Sequence, residues 1–198
     1  LPALLVLLIM FVGLLMSSSN IITEKTSQAF FRNFITPTNS LYFMVGEYLS
    51  NMLVISLQVT VIMTILFFFF QDLGWQLFAI AGVALLSIGS FFVILGMLIG
   101  YMFNTKESVI LGAVTTAIIM LFFSNTLLPL ETLNSTMRNL LQYNPFVLGE
   151  SMLKKVLLFG SSFGGIAEPF YLMIGLSAAV LAGTIISQKF SKKYLANS

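Results

Sequence analysis

Residues 24–37, with the sequence EKTSQAFFRNFITP, form a charged and aromatic segment between two long apolar runs. The run before it, Ala3 to Met16, contains no charged residue, and the run after it, Leu41 to Phe70, contains only Glu47. Runs of this kind are typical of helices that cross a lipid bilayer, because a span needs about 20 mostly apolar residues. The segment therefore predicts a polar connection that joins two membrane spans.

The composition of the whole chain supports this interpretation. Hydrophobic residues make up 58% of the sequence and charged residues only 8%, whereas water-soluble domains carry about a quarter charged residues. The sequence contains neither Cys nor His, which excludes disulfides, thiolate and imidazole metal ligands, and catalysis by histidine. No basic run interleaved with aromatic residues is present, so we expect no binding to nucleic acid.

The apolar runs predict five membrane spans. They cover residues 1–19, 41–70, 77–103, 108–128 and 169–188. Backbone polar groups in lipid must be satisfied within the protein, and these runs lack the alternation of barrel strands. We therefore expect an all-α integral membrane protein, a polytopic helical bundle that forms one transmembrane domain over residues 1–198.

The first run could be a signal peptide, but it lacks a basic start and a small-residue cleavage pattern. We expect instead the remainder of a truncated helix. Short loops rich in Lys and Arg stay in the cytosol. This rule places one group of basic residues inside and a second group outside, namely Lys25, Arg32, Lys106, Lys189, Lys192 and Lys193 inside, and Arg138, Lys154 and Lys155 outside.

This orientation puts the C-terminus in the cytosol and the start of the chain outside. It also predicts a further helix upstream and six spans in the full subunit, which we expect in the cell membrane. Within the second span, Glu47, Asn51 and Gln58 lie within about 40° of one another on a helical wheel. Polar groups at this depth either contact a neighbouring helix or line a transport pathway.

Small residues recur on two of the predicted spans. They are Gly82, Gly89, Gly96 and Gly100 in the third span, and Gly175, Ala179 and Gly183 in the fifth. Such stripes let two helix backbones approach closely. We expect helix packing within one subunit at both places, with a contact between subunits as the alternative.

The connection after the fourth span carries its own pattern. Five apolar residues share one helical face, and Asn144-Pro145 then interrupts the helix before residues 146–158 begin another; the apolar residues are Leu130, Leu133, Met137, Leu140 and Leu141. Neither helix is long enough to span the bilayer. The pattern predicts two short re-entrant helices over about residues 130–158 that dip into the outer leaflet.

These features resemble ABC-2 type transporter permeases, the membrane-spanning subunits of ABC exporters. In that family an acidic–basic pair, here Glu24-Lys25, opens an amphipathic coupling helix, and Thr36-Pro37 closes it. A second motif resembles the family's pattern after the penultimate span, with Pro129, Glu131, Arg138, Asn144, Pro145 and Glu150 in order. The resemblance covers about residues 1–190. Gln28-Ala29 replaces a frequent Gly-Thr, and Glu47 replaces a frequent Lys.

The resemblance implies a coupling helix over about residues 20–36 that contacts cytosolic ABC ATPase subunits. The implied contact residues are Glu24, Lys25, Gln28, Phe30, Phe31, Arg32, Thr36 and Pro37. It also implies a second permease half, homodimeric or heterodimeric, and export by alternating access of a drug-like, lipid, glycan or ionic substrate. ATP and Mg²⁺ would bind the partner subunit.

The sequence itself has no Gly-x-x-x-x-Gly-Lys-[Ser/Thr] loop, so we expect neither a bound cofactor nor ATP hydrolysis on this chain. On a helical wheel Lys25, Gln28 and Arg32 share one face, and Phe30 and Phe31 lie on another. The alternative for this segment is an amphipathic helix that rests on the lipid surface. The alternative for the whole chain is a membrane scaffold or assembly subunit that does not transport.

Overall fold

The computed structural model describes residues 1–27, 40–69, 74–124 and 141–195. Six helices account for nearly all of these residues, and the described ranges contain no strand. In chain order the helices are α1 Pro2–Lys25, α2 Ser40–Phe69, α3 Trp75–Met102, α4 Lys106–Phe122, α5 Pro145–Leu157 and α6 Phe163–Leu195. The predicted class, a helical membrane bundle, is confirmed.

Four of the helices are long and apolar enough to cross a membrane. They are α1, residues Leu41–Phe69 of α2, α3, and residues Phe163–Gln188 of α6. These helices cover four of the five predicted spans. The fifth, predicted over residues 108–128, corresponds to α4, whose 17 described residues extend about 25 Å. The helix ends at Phe122, earlier than the predicted residue 128, and residues 125–128 lie outside the described ranges. This span therefore stays a prediction.

The boundary between the first span and the coupling segment differs from the prediction. We expected the span to end at Ser19, but α1 continues to Lys25. The serines do not interrupt the helix, because the hydroxyl of Ser17 donates to Gly13 O at 2.6 Å and that of Ser18 donates to Leu15 O at 3.2 Å. Serine hydroxyls bonded in this way fit inside a helix. Residues 20–25 therefore belong to α1 and not to a separate coupling helix.

The last helix also begins earlier than predicted. We expected the span to start at Pro169, whereas α6 starts at Phe163 and includes Pro169. Gly160 has a φ of +58°, a left-handed conformation that glycine adopts without steric cost. The chain therefore turns at Gly160, at the end of α5, and the helix follows within three residues.

Helix α3 lies at the centre of the bundle and packs against every other described helix. Its tightest contact is with α1. A Cβ atom added to Gly96 would lie 2.7 Å from Leu14 O, and one added to Gly100 would lie 2.7 Å from the Cβ atom of Ile21. Both distances are shorter than van der Waals contact. Gly96 and Gly100 therefore lie where α1 and α3 approach closely, and Gly89 meets the side chain of Ile55 on α2 in the same way.

The remaining small residues lie further from the described helices. A Cβ atom added to Gly82 or Gly175 would have no neighbour within 4 Å, and at Gly183 it would make only ordinary contact at 3.9 Å. Ala179 is exposed. Helix α6 turns its other face, with Met173 and Thr184, to the interior. Within the described residues, Gly183 thus contacts Leu98 of α3, whereas Gly82 and Gly175 have no close neighbour. Packing within the subunit and contact with another chain both stay predictions for these residues.

We predict that Gly96→Ala destabilises the bundle. The added methyl group would meet the backbone oxygen of Leu14, which cannot move without shifting α1. Overpacking of this kind costs about 1–3 kcal/mol and outweighs the gain of up to about 1 kcal/mol from replacing a helical glycine with alanine.

Thermal unfolding in detergent provides the measurement, and Gly82→Ala is the matched control. Because Gly82 has open space around it, its substitution should leave the melting temperature unchanged or slightly raised. Equal melting temperatures for the two variants would show that α1 and α3 are not in close contact.

Candidate functional site

The side chain of Lys25 binds the end of α3. Its ammonium group donates to Phe103 O at 2.8 Å, Tyr101 O at 3.2 Å and Gly100 O at 3.4 Å, and lies 3.3 Å from Asn104 Oδ1. The last carbonyls of a helix lack partners within the helix and carry partial negative charge. A lysine placed there satisfies these groups. We call Lys25 with its four acceptors the Lys25 clamp.

Polar side chains also join α1 to α2. The amide of Asn20 donates to Asn51 Oδ1 at 2.7 Å, and the amide of Asn51 donates to Glu47 O at 2.8 Å. The side chains of Glu24 and Glu47 also lie close together. The pairs are spaced by four residues on each helix and run in opposite directions, as expected for neighbouring antiparallel helices. Glu47 and Asn51 thus face another helix of the bundle, the first of the two predicted alternatives.

Gln58, the third polar residue of the predicted set, lies about 10 Å further along α2 than Asn51. Its side-chain oxygen is buried. Within the described part of the chain, it is the one buried side-chain nitrogen or oxygen atom without a hydrogen-bond partner. An unpaired buried polar atom costs about 1–3 kcal/mol. A role for Gln58 in a transport pathway stays a prediction.

The sequence interpretation missed further polar contacts at the same end of the bundle. Gln188 Nε2 lies 3.3 Å from the hydroxyl of Tyr101 and joins α6 to α3. The hydroxyls of Tyr48 and Ser90 are 2.8 Å apart and join α2 to the middle of α3. The four-residue spacing of Asn20 and Glu24 could have predicted that they share one face of α1. The tyrosines had none, because their partners are distant in sequence.

Together these contacts form one group at the end of four long helices. We call it the polar end cluster, and its members are Asn20, Glu24, Lys25, Glu47, Asn51, Tyr101 and Gln188. Asn51, Tyr101 and Gln188 are buried. The described residues contain no group of three or more Asp and Glu side chains that could hold a metal ion. The cluster therefore offers helix-to-helix contacts, with the start of residues 28–39 directly beside it.

Of the residues implied to contact an ATPase, the structure describes Glu24 and Lys25. Both lie in the last turn of α1, which ends at Lys25 with Thr26 as its C-cap. Gln28, Phe30, Phe31, Arg32, Thr36 and Pro37 lie outside the described ranges, so the predicted docking face is untested. The ammonium group of Lys25 is bound to the end of α3, so in this structure it is not available to bind a partner protein.

At the opposite end of the bundle, Asn144 joins two helices. Its amide nitrogen donates to Phe123 O at 2.7 Å and to Met120 O at 2.8 Å, at the C-terminal end of α4. Its amide oxygen accepts from the backbone of Phe146 at 3.0 Å and caps α5. Pro145 occupies the first turn of α5, where its missing N–H costs nothing. Asn144-Pro145 thus connects two helix ends as well as separating two helices.

Helix α5 itself agrees with the predicted helix over residues 146–158. Glu150 is buried with 5% of its surface exposed, and it pairs with Lys154 at 2.6 Å, one turn later on the same helix. The amine of Lys155 donates to Gly165 O at 3.0 Å and ties α5 to the first turn of α6. Pro129, Glu131 and Arg138, the other residues of the outer motif, lie outside the described ranges.

Comparison with known protein families identifies one match. Residues 1–186 match the family model described as ABC-2 family transporter protein. No curated protein and no solved structure gives a significant match. The matched range includes the polar end cluster up to Tyr101 and the Asn144 junction. The similarity therefore extends over the bundle as a whole and not over a single motif.

We predict that Asn144→Asp destabilises the protein although aspartate is as good a helix N-cap as asparagine. Aspartate keeps the oxygen that accepts from Phe146 but loses the N–H groups that reach Met120 O and Phe123 O, and its charge would repel these carbonyls. Asn144→Ala should destabilise further, since it also removes the cap, which is worth about 0.5–2 kcal/mol.

Detergent unfolding of the wild type and both variants measures this order. If Asn144→Asp unfolds at the same temperature as the wild type, Asn144 acts only as the cap of α5. In that case its bonds to the end of α4 contribute nothing.

Proposed function

Because the match covers residues 1–186, the chain belongs to the ABC-2 family of transporter proteins, and we propose that it is one half of an exporter driven by a separate ATPase. Membership in the family makes it a permease subunit of an ABC transporter. The four long apolar helices agree with a multi-pass membrane protein. Transport direction, partners and orientation are parts of the proposal.

The observation that carries the proposal is the point at which residues 28–37 join the described chain. Helix α1 ends at Lys25 within the polar end cluster, where α1, α2, α3 and α6 meet, and residue 28 is the third residue after Lys25. A soluble partner bound to this segment would therefore act on all four helices. Residues 1–198 contain no phosphate-binding loop, which agrees with the proposal that ATP binds to a separate subunit.

The exposed surfaces of the bundle support a second permease half. In the most apolar windows of α1 and α3, 56% and 50% of the residues are buried, compared with 22% in α2 and 11% in α6. The outer faces of α2 and α6 are thus available to lipid and to another subunit. We propose that two such halves, identical or different, enclose the transport pathway and are bound by two ATPase subunits.

We predict that the polar end cluster faces the cytosol of a cell-membrane protein. The chain contains no Cys, so single cysteines can be introduced and labelled with a membrane-impermeant maleimide. Ser27→Cys and Ser191→Cys should react only after the membrane is opened, and Ser135→Cys should react in intact cells, because Lys and Arg are concentrated in cytosolic loops. Labelling of Ser27→Cys in intact cells would contradict the proposed orientation.

We also predict that Arg32→Glu weakens binding of the ATPase. If the predicted face of Gln28 and Arg32 docks on the ATPase, reversing a docked charge removes an attractive contact and adds repulsion, which costs about 2–5 kcal/mol where the pair is buried. If residues 28–37 only rest on lipid, the loss is about 1 kcal/mol of membrane attraction per charge, and the ATPase still binds.

Co-purification of the ATPase with the permease measures the difference. The matched control is Lys106→Glu, which reverses an exposed charge at the same end of the bundle and places an acidic residue where a helix N-terminus favours it. Reduced recovery with Arg32→Glu alone is the expected result. Equal recovery with both variants would rule out the docking face, and a wild type that binds no ATPase would favour a scaffold.

A further inference from the structure

We propose that Lys25 is a positioning residue that makes α1 and α3 move as one body when an ATPase moves residues 28–37. The proposal rests on the proposed function, because it assigns a role to a contact within the permease during the ATP-driven cycle. It assigns to Lys25 the transmission of movement from α1 to α3, and it does not depend on which residues of the segment 28–37 bind the ATPase.

The first step is the position of the clamp. Lys25 is the last residue of α1 and lies three residues before residue 28. Its acceptor Phe103 O is 78 residues away in sequence, at the end of α3. A pull on residues 28–37 therefore reaches Lys25 before any other described contact of α1. Through Lys25 the pull acts directly on the backbone of α3.

The second step is the stiffness of the pair that the clamp completes. Deeper in the bundle, α1 and α3 are in contact at Gly96 and Gly100, where an added Cβ atom would not fit. The hydroxyl of Ser17 bridges the two helices by donating to Val93 O at 2.9 Å. Well-packed helices without voids behave as rigid units. The Lys25 clamp extends this unit to the end of both helices, where α1 would otherwise be free to fray.

The third step is the connection to α4. Three residues separate α3 from α4, namely Phe103, Asn104 and Thr105. The backbone oxygen of Phe103 and the side-chain oxygen of Asn104 both bind the ammonium group of Lys25. Thr105 caps α4 by accepting from the backbone of Ser108 at 3.2 Å. Movement of the clamp is thus passed on to the start of α4 as well.

Helix α2 is attached more loosely at this end. It meets α1 there through single side-chain contacts, Asn20 with Asn51 and Glu24 with Glu47. Each of these contacts is a single pair of side chains, whereas the Lys25 ammonium group has four acceptors, three of them backbone carbonyls. We therefore place the relative movement between α2 and the α1–α3 pair.

Loss of the clamp should leave the fold intact. Of the four acceptors, those of the exposed Phe103 and Asn104 can bind water instead, whereas Gly100 and Tyr101 are buried. Lys25→Met keeps a long unbranched side chain but has no donor, and Lys25→Arg keeps the charge and the donors. Lys106→Met removes an equal charge at the same end of the bundle from an exposed side chain and is the matched control.

The experiment measures distances between pairs of spin labels in the permease–ATPase complex, reconstituted in lipid nanodiscs. Cysteines at Thr23 and Met102, both exposed, report the distance between α1 and α3, and cysteines at Thr23 and Tyr42 report the distance between α1 and α2. Each pair is measured without nucleotide and with ATP, Mg²⁺ and vanadate. ATP hydrolysis is recorded for the same samples.

With Lys25 intact, we expect one narrow 23–102 distribution that nucleotide does not shift, and a 23–42 distance that nucleotide does shift. In Lys25→Met the 23–102 distribution should broaden and become nucleotide-dependent, while ATP hydrolysis continues. Lys25→Arg and Lys106→Met should both behave as the wild type. These results together would support the clamp as the element that joins α1 to α3.

Two results would overturn the proposal. One is a nucleotide-dependent 23–102 distance with Lys25 intact, and the other is an unchanged, narrow 23–102 distribution in Lys25→Met. A 23–42 distance that never responds to nucleotide would count against ATP-driven transport. The width of the 23–102 distribution without nucleotide would still decide whether the clamp exists.

Discussion

The close approach of α1 and α3 is the constraint on which the remainder of the bundle depends. In lipid there is no hydrophobic force to bring helices together, so association relies on van der Waals contact and on hydrogen bonds between helices. Gly96 and Gly100 permit the backbone contact, and the hydroxyl of Ser17 adds a bond to Val93 O. Helix α3 can then contact α2, α5 and α6 on its other sides. A side chain at Gly96 would separate α1 from the centre of the bundle.

Polar contacts join helices at both ends of the bundle. At one end, Asn144 joins α4 to α5 by bonding to backbone groups of both. At the other end, the polar end cluster joins four long helices, and α1 ends there at Lys25. Polar residues inside membrane helices are costly and mark functional places. In a permease that is driven by a separate ATPase, the end that receives the movement has to connect to several helices, and the polar end cluster provides this connection.

The sequence predicts local features better than it predicts contacts between distant residues. The long helices follow from apolar length, and the helix after Asn144-Pro145 follows from turn chemistry. The two stripes of small residues have similar helical spacing, but Gly96 and Gly100 face α1 whereas Gly175 has no described neighbour. Spacing alone does not show which face of a helix meets another helix. The role of Lys25 was missed for the same reason. Its acceptors on α3 are more than seventy residues away, and no local pattern reveals them.

The most direct test of the proposed function is to identify what residues 28–37 touch in the assembled transporter. A photo-crosslinking amino acid at Phe31, irradiated in intact cells, would be compared with the same group at Phe122, near the opposite end of the bundle. The account predicts an adduct at Phe31 with a protein that contains a phosphate-binding loop, identified by mass spectrometry, and no such adduct at Phe122. Adducts at Phe31 with lipid alone would contradict the assignment of this segment as the contact with the ATPase.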